Sequence, residues 1–285
     1  MFRFKAVLLL VLMVCPLAYC YGQLHFATVN GERGYAAMRG DFKLDLDNGF
    51  SIIPRVGYYR TSDKEEDESG ATTKFALNTL YELTDNLIIS AGGSYIPTRL
   101  GFENIAYGMA VKYTLCYRCG IFKNPYAKVN AGQSFYDITA YADGKPLPAV
   151  FKTNATAAVA EAGAEIGRFF VQVRYDKVIK YSNKPQADIA SNWTEIPFMT
   201  AVVQGFVRDI AAARVAYHTR WITPYAVYSR YKYLLGSDYT VSVAGGLALT
   251  WKETTVSGGV EIFEQNHKEN RKTYFSLSCL SSGRP

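Results

Sequence analysis

The sequence predicts an all-β chain folded as an antiparallel transmembrane up-and-down β-barrel of about 14 strands, with about 12 as the alternative. Three observations carry this. Side-chain polarity alternates with period two along most of the chain. The alternating segments run for about 10 to 13 residues, longer than the ordinary soluble strand of about 5 to 6 and close to the 9 to 11 that cross a bilayer at a tilt. Connections alternate between short and long, as periplasmic turns and surface loops do.

The alternation is clearest from Ala36. Ala36, Met38, Gly40, Phe42, Leu44 and Leu46 form one face, and Ala37, Arg39, Asp41, Lys43 and Asp45 the other. Asp47-Asn48-Gly49 turns the chain. Phe50, Ile52, Val56 and Tyr58 then oppose Ser51, Arg55 and Gly57. Phe75, Leu77, Thr79, Tyr81 and Leu83 oppose Lys74, Asn78 and Glu82, and Leu87 to Tyr95 returns after Thr84-Asp85-Asn86. Ile105 to Leu115 and Tyr239 to Trp251 repeat the pattern. Asp47 to Gly49, Thr84 to Asn86, Gly167-Arg168 and Lys252-Glu253 are the short connections. Thr61 to Thr72, Pro97 to Asn104, Ile138 to Thr153 and Lys180 to Glu195 are the long polar ones. A sheet in lipid must close on itself, because an edge would leave backbone N–H and C=O groups with no partner. Of the 22 Tyr, Tyr58, Tyr81, Tyr95, Tyr113, Tyr126, Tyr175, Tyr225 and Tyr274, joined by Trp251, fall near strand ends and are expected in interfacial belts. A secreted β-sandwich is the soluble alternative, and it fits long strands with one charged and one lipid-like face poorly.

Strands are expected at Gln23 to Asn30 and around Ala36, Phe50, Phe75, Leu87, Ile105, Tyr126, Ala155, Phe169 and Phe198, with three more near Val241, Val256 and Phe275. Asp209 to Leu235 reads either as two strands with a turn at Ile222-Thr223-Pro224 or as one bent strand. The likeness of Asn124-Pro125-Tyr126-Ala127 to Thr223-Pro224-Tyr225-Ala226 favours a turn before each. The Ala-rich stretch Ala155 to Ala164 suits a helix by propensity and a strand by its alternation.

Residues 1–22 read as a secretory signal peptide: Arg3 and Lys5, an apolar run from Ala6 to Leu17, then small residues with cleavage after Cys20 or Gly22. A lipidated Cys20 is the lesser reading, because Tyr19 occupies the position before it. Residues 23–285 then form a single barrel domain. Removing the signal lowers Lys+Arg from 31 to 29 against 25 Asp+Glu, so the net charge falls from +6 to +4. That mild charge excludes a nucleic-acid footprint. Cys116, Cys119 and Cys279 remain. Cys116-Tyr-Arg-Cys119 has the spacing of a local disulfide, and a zinc set is not present. With 49% hydrophobic and 20% charged residues the chain is neither disordered nor a coiled coil.

The signal, alternating strands, aromatic belts and loop asymmetry together resemble a Gram-negative outer-membrane β-barrel protein of porin-like type. The resemblance spans residues 23 to 280 and rests on architecture rather than a family motif. It departs at the end, where Ser281-Ser282-Gly283-Arg284-Pro285 follows the last strand instead of a terminal aromatic. The resemblance implies a bacterial outer-membrane location, with outer-membrane lipids and the barrel-assembly machinery as partners.

Enzymes of this shape use His, so the three His are the test. His25 and His218 are expected as polar wall residues and His267 as a loop residue. No catalytic residue, metal site or cofactor is expected, and GxSxG, HExxH and P-loop motifs are absent. The face turned to the lumen should carry Arg39, Asp41, Lys43, Asp45, Arg55, Lys74, Glu82, Lys112, Lys128, Glu161, Glu165, Arg174, Asp176, Arg230, Lys232 and Glu261. Lined this way, the barrel reads as a passive pore for small hydrophilic solutes. The alternatives are a structural or surface-interaction barrel acting through its loops and, behind both, a lipid hydrolase. Whether the charges line water or pair to fill a closed interior depends on barrel size.

Overall fold

The computed structural model describes residues 22–63, 68–99, 102–142, 145–185, 192–236, 238–264 and 271–282. The expected signal segment, the 64–67 part of the first long loop and His267 lie outside these residues. The strands are β1 (Gly22–Gly31), β2 (Ala36–Asp45), β3 (Phe50–Asp63), β4 (Glu68–Thr84), β5 (Leu87–Arg99), β6 (Phe102–Thr114), β7 (Arg118–Cys119), β8 (Phe122–Ala142) and β9 (Lys145–Ile166). They continue as β10 (Phe169–Tyr181), β11 (Trp193–Glu195), β12 (Val202–Gln204), β13 (Val207–Tyr217), β14 (Ile222–Tyr233), β15 (Tyr239–Trp251), β16 (Thr254–Glu264) and β17 (Arg271–Ser282).

All but β7, β11 and β12 form the wall. Each wall strand pairs antiparallel with its neighbours; β1 joins β17, and β6 joins β8 across the short β7. The result is a closed 14-stranded antiparallel barrel, with no wall edge for lipid to face. Both described ends lie on one rim: Gln23 opposes Ser282. That rim also holds the turns at Asp47–Gly49 and Asp85-Asn86, the Gly167-Arg168 turn and Lys252-Glu253. Asn48 at φ 65° and Gly49 at φ 74° take the left-handed geometry the first of these needs. The two rims thus differ: short turns close this one, and the longer hairpins project from the other. Cys116 and Cys119 are disulfide-bonded in the β6–β8 turn.

The connections depart from the sequence reading in an informative way. Three of the four expected loops are largely strand. β3 and β4 pair as far as Asp63 opposite Glu68, β5 and β6 as far as Arg99 opposite Phe102, and β8 and β9 as far as Ala142 opposite Lys145. These hairpins extend the wall outward, since polar strands pair in water as well as in lipid. The Ala-rich stretch is strand throughout, because each of its backbone groups belongs to a ladder with β8 or β10.

Asp209 to Leu235 resolves into β13 and β14, with the turn at His218 to Trp221 just before the expected one. The segment around Phe198 is not wall. It is the tip of the β11–β12 hairpin, which forms its own two-stranded sheet. An apolar segment with Trp193, Ile196 and Met199 packs against aromatics inside the barrel rather than against lipid.

The outward face carries the expected apolar residues, among them Val56, Leu77, Met109, Val173, Val243 and Leu247. Aromatics border it. Tyr81, Tyr113, Phe169, Trp221 and Trp251 lie toward the turn rim, and Tyr95, Tyr228 and Tyr239 toward the loop rim. Three residues expected in the belts turn inward instead. Tyr126 donates to Glu161, the Tyr225 ring lies under Arg214, and Tyr274 is buried against Tyr35. Each has a polar or aromatic partner in the lumen that lipid would not offer.

Candidate functional site: a hairpin seated in the lumen

The connection from β10 to β13 does not stay outside. Residues 182 and 183 leave β10 along the wall, where Ser182 N–H donates to the Asn154 carbonyl at 2.8 Å and the Thr153 hydroxyl donates to the Asn183 carbonyl. From residue 192 the chain lies in the lumen, folded back on itself as β11 and β12, registered from Trp193 opposite Gln204 to Glu195 opposite Val202. Asn192 Nδ2 and the Thr194 hydroxyl both donate to the Gly205 carbonyl at 3.0 Å, closing the base of the hairpin.

Apolar packing and a few directed polar contacts seat it. Trp193 stacks on Tyr59 with centroids 5.9 Å apart and lies 6.2 Å from Tyr35. Tyr274 meets Tyr35 edge-on at 4.6 Å and covers Gly31, where any Cβ would collide with its ring. Ile196, Met199, Val202 and Val203 join Tyr231, Tyr233 and Phe263 in one buried cluster. Phe206, at the exit, packs edge-on to Tyr136 at 5.1 Å.

The hairpin's backbone is satisfied by the wall, as buried peptide groups must be. The Tyr35 hydroxyl donates to the Val202 carbonyl at 3.2 Å and accepts from the Val202 N–H at 2.8 Å. The Glu261 carboxylate accepts the N–H groups of Thr200 at 2.9 Å and Ala201 at 2.8 Å. Glu261, expected to line a pore, is therefore a tether for the hairpin tip.

Glu195 is the second tether. Its carboxylate takes Lys74 Nζ at 3.2 Å and a hydrogen bond from the Tyr59 hydroxyl at 3.4 Å. Arg39 and Arg55 each reach it at 3.9 Å. Lys74 foremost, then Arg39 and Arg55, hold this carboxyl well below the usual carboxylate range. Arg55 also lies 3.6 Å from Asp41, which pairs with His25 at 3.1 Å. The sequence placed the three cations on one face of adjacent strands and put Glu195 at the end of an external loop. Nothing in its local pattern signals that it returns to meet them.

On the turn-rim side of the hairpin, the lumen holds a cavity of about 520 Å³. Asp41, Arg55, Lys74, Asn78, Ser90, Lys128, Asn130, Arg174 and Glu195 line it, with small residues between them. A second polar group sits across from the Glu195 cluster. Arg174 grips Asp176 with two bonds of 2.7 and 2.8 Å and lies 3.8 Å from Glu161. Glu161 also accepts from Tyr126 and Gln172, both at 2.9 Å.

The other expected lumen residues sit nearer the turn rim. Lys43 pairs with Asp45 at 2.7 Å, Lys123 with Glu165 at 3.2 Å, and Lys112 lies over the Tyr126 ring. Glu82 is exposed at the end of β4. Arg230 and Lys232 correct the sequence reading. On β14, Tyr225, Val227, Ser229, Tyr231 and Tyr233 face inward, so Arg230 and Lys232 point outside, onto the ring of Tyr239. Tyr231 is fully buried. The hairpin makes the lumen apolar at that height, which reverses the face that charge would otherwise select.

His25 is a polar wall residue facing the lumen. His218 is not on the wall: it lies exposed in the β13–β14 turn, 3.4 Å from the Thr223 hydroxyl.

No protein-family model matches the sequence, and no curated protein matches it. Solved structures do match in shape. The fold is that of a bacterial outer-membrane β-barrel. The toluene transporter TbuX of Ralstonia pickettii superimposes with a TM-score of 0.50 at 10% identity, over 93% of this chain and 90% of that one. OmpT of Vibrio cholerae, with its loop L8 deleted, gives 0.50 at 11% identity over 92% and 97%. CdiB of Acinetobacter baumannii gives 0.51 at 8% identity, over 91% of this chain and 59% of CdiB. At such identities the likeness is one of fold.

Proposed function

We propose that this barrel is a gated channel for small solutes, narrowed by the β11–β12 hairpin. The observation that carries the reading is the polar chamber of about 520 Å³ beneath a hairpin held by two carboxylates. A permanently filled interior would pair its charges across the whole lumen. Here Lys128 and Asn130 line open space instead. The charged side chains that line it, Asp41, Arg55, Lys74, Lys128, Arg174 and Glu195, suit small hydrophilic solutes.

An apolar solute is the second reading. A separate cavity of about 170 Å³ lies between the hairpin and the wall, where Tyr136, Val159, Val178, Tyr181, Phe206 and Ile210 share the lining with Asp176, Asn192, Thr194, Glu195 and Asp209. TbuX is described as a toluene transporter.

Planar-bilayer recording of the purified protein tests the channel, and a liposome assay tests the solute. Channel events with sugar-driven swelling support the hydrophilic route. Toluene uptake without swelling supports the apolar one. Silence of both wild type and a hairpin-deleted protein would leave a structural barrel acting through its projecting hairpins.

A further inference from the structure

We propose that the outward face of β10, β13 and β14 at the loop rim binds the phosphorylated glycolipid of the outer leaflet. Five cations gather there: Lys177, Lys180, Arg208, Arg230 and Lys232. The register places them together. Lys177 pairs with Asp209, which pairs with Lys232, while Arg230 sits one row lower opposite Ala211 and Val241.

Two bulges complete the set. Lys177 and Lys180 are three residues apart and would face opposite sides of a regular strand. The bulge at Ile179 puts Lys180 back on the outer face, opposite Thr156. A second bulge, between Val207 and Asp209, leaves Arg208 exposed beside Asp209 at 2.8 Å and within charge reach of Tyr175 and Tyr239. The carboxylates near the patch are Asp209 and the exposed Asp238, so the cations outnumber them.

Height identifies the partner. Arg230 lies eight residues above the turn-rim end of β14 at Ile222. At about 3.3 Å per residue and a tilt near 40°, that is roughly 20 Å up a band about 25 Å tall. A cation on the lipid face is costly at mid-bilayer and nearly free at the interface. Lys232, two residues further up, reaches the upper edge of that band, and Arg230 lies just below it, within reach of the outer-leaflet headgroups for a long side chain. Val173, Val215 and Val243 continue the same face below them as an exposed apolar surface. The geometry fits an amphiphile with anionic groups above and acyl chains below. Arg208 and Arg230 supply the planar forks that suit phosphate. The Arg230 guanidinium is held 3.7 Å from the centroid of the Tyr239 ring.

Native mass spectrometry of the detergent-solubilised barrel tests this, with bisphosphorylated lipid A as the probe and dephosphorylated lipid A and inorganic phosphate as comparisons. The variants are Lys177→Gln/Arg208→Gln/Arg230→Gln/Lys232→Gln and the milder Arg230→Gln/Lys232→Gln. A turn-rim control carries Arg118→Gln/Arg168→Gln/Lys252→Gln. Folding is read from the gel shift between unheated and heated samples. Wild type and control should retain bisphosphorylated lipid A. Each removed patch cation should weaken retention by about fivefold, and dephosphorylated lipid A should bind wild type as poorly as the variants bind the phosphorylated form. Equal retention by folded patch variants would overturn the proposal. So would equal binding of dephosphorylated lipid A, or displacement by millimolar inorganic phosphate, which would mark a simple anion site. A change in oligomeric mass without loss of lipid would assign the face to contact between copies and overturn it equally.

Discussion

The β8–β9 and β10–β13 connections look alike in sequence: each is a long, polar-flanked stretch between two strands. In the structure they do opposite things. β8 and β9 keep pairing to Ala142 and Lys145, so the connection becomes a projecting hairpin of wall. Residues 192–206 of the β10–β13 connection leave the wall and occupy part of the lumen. The difference lies in what each must bury. The second contains Trp193, Ile196, Phe198, Met199, Val202 and Val203 within a dozen residues. Water outside the barrel offers these no shelter, and burying them inside gains hydrophobic free energy. The β8–β9 connection carries fewer large apolar residues, Ile138, Leu147, Val150 and Phe151, and as paired strand it already packs Ile138 and Phe151 in the cluster around Phe206. A loop's length therefore says little about its fate, whereas its apolar content says a good deal.

The strongest way to break the contrast is to remove the inserted hairpin. Replacing residues 192–204 with a short Gly–Ser linker should leave a folded barrel and raise single-channel conductance severalfold. An unchanged conductance would show that the hairpin does not limit the path. Next comes Trp193→Ala. Loss of a buried indole between Tyr35 and Tyr59 should cost the seated state about 3 to 5 kcal/mol. The open fraction in bilayer recordings should rise while the heat-dependent gel shift of the barrel is retained.

Glu195→Gln should act more weakly than Trp193→Ala, because the Glu195 side chain is only part-buried and the Gln amide oxygen still accepts from Lys74. It should also flatten the pH response. In the wild type, Lys74, Arg39 and Arg55 lower the docked Glu195 pKa beneath the ordinary 4.5. The docked state thus holds its full stabilisation above pH 4.5 and loses it as pH falls from there toward the depressed docked value. Open fraction should be level from pH 7 to about 5 and climb in stronger acid, and Glu195→Gln should remove that climb. The smallest effect belongs to the projecting hairpin. Lys152 and Asp137 pair at 2.8 Å but are both exposed, so Lys152→Ala should be close to neutral. Thermal midpoint and conductance should both stay near wild type.

Much of the wall was legible. The alternation of Ala36 to Leu46 and of Phe75 to Leu83 is a local consequence of one face meeting lipid and the other meeting water, and short turns such as Asp47-Asn48-Gly49 carry their own geometry. Where the lumen is not water, the rule fails. Charge normally chooses the lumen, which predicts Arg230 and Lys232 inward, yet Tyr231 and Tyr233 take the inner face by packing on the hairpin. Tyr126, Tyr225 and Tyr274 left the aromatic belts for partners inside. The segment around Phe198 has strand-like polarity and was counted as wall for the same reason: apolar side chains look alike whether they face lipid or a protein core.

By itself, then, the sequence determined that the chain is a closed antiparallel barrel with its short turns on one rim, because period-two polarity and turn chemistry are written in neighbouring residues. Tertiary structure decided which long connection enters the lumen. It decided that Glu195 meets Lys74, Arg39 and Arg55 across more than a hundred residues of chain. It decided, too, that five cations gather on the outer wall through two bulges. Each of these depends on contacts distant in sequence, and such contacts leave no periodic trace in the residues that make them.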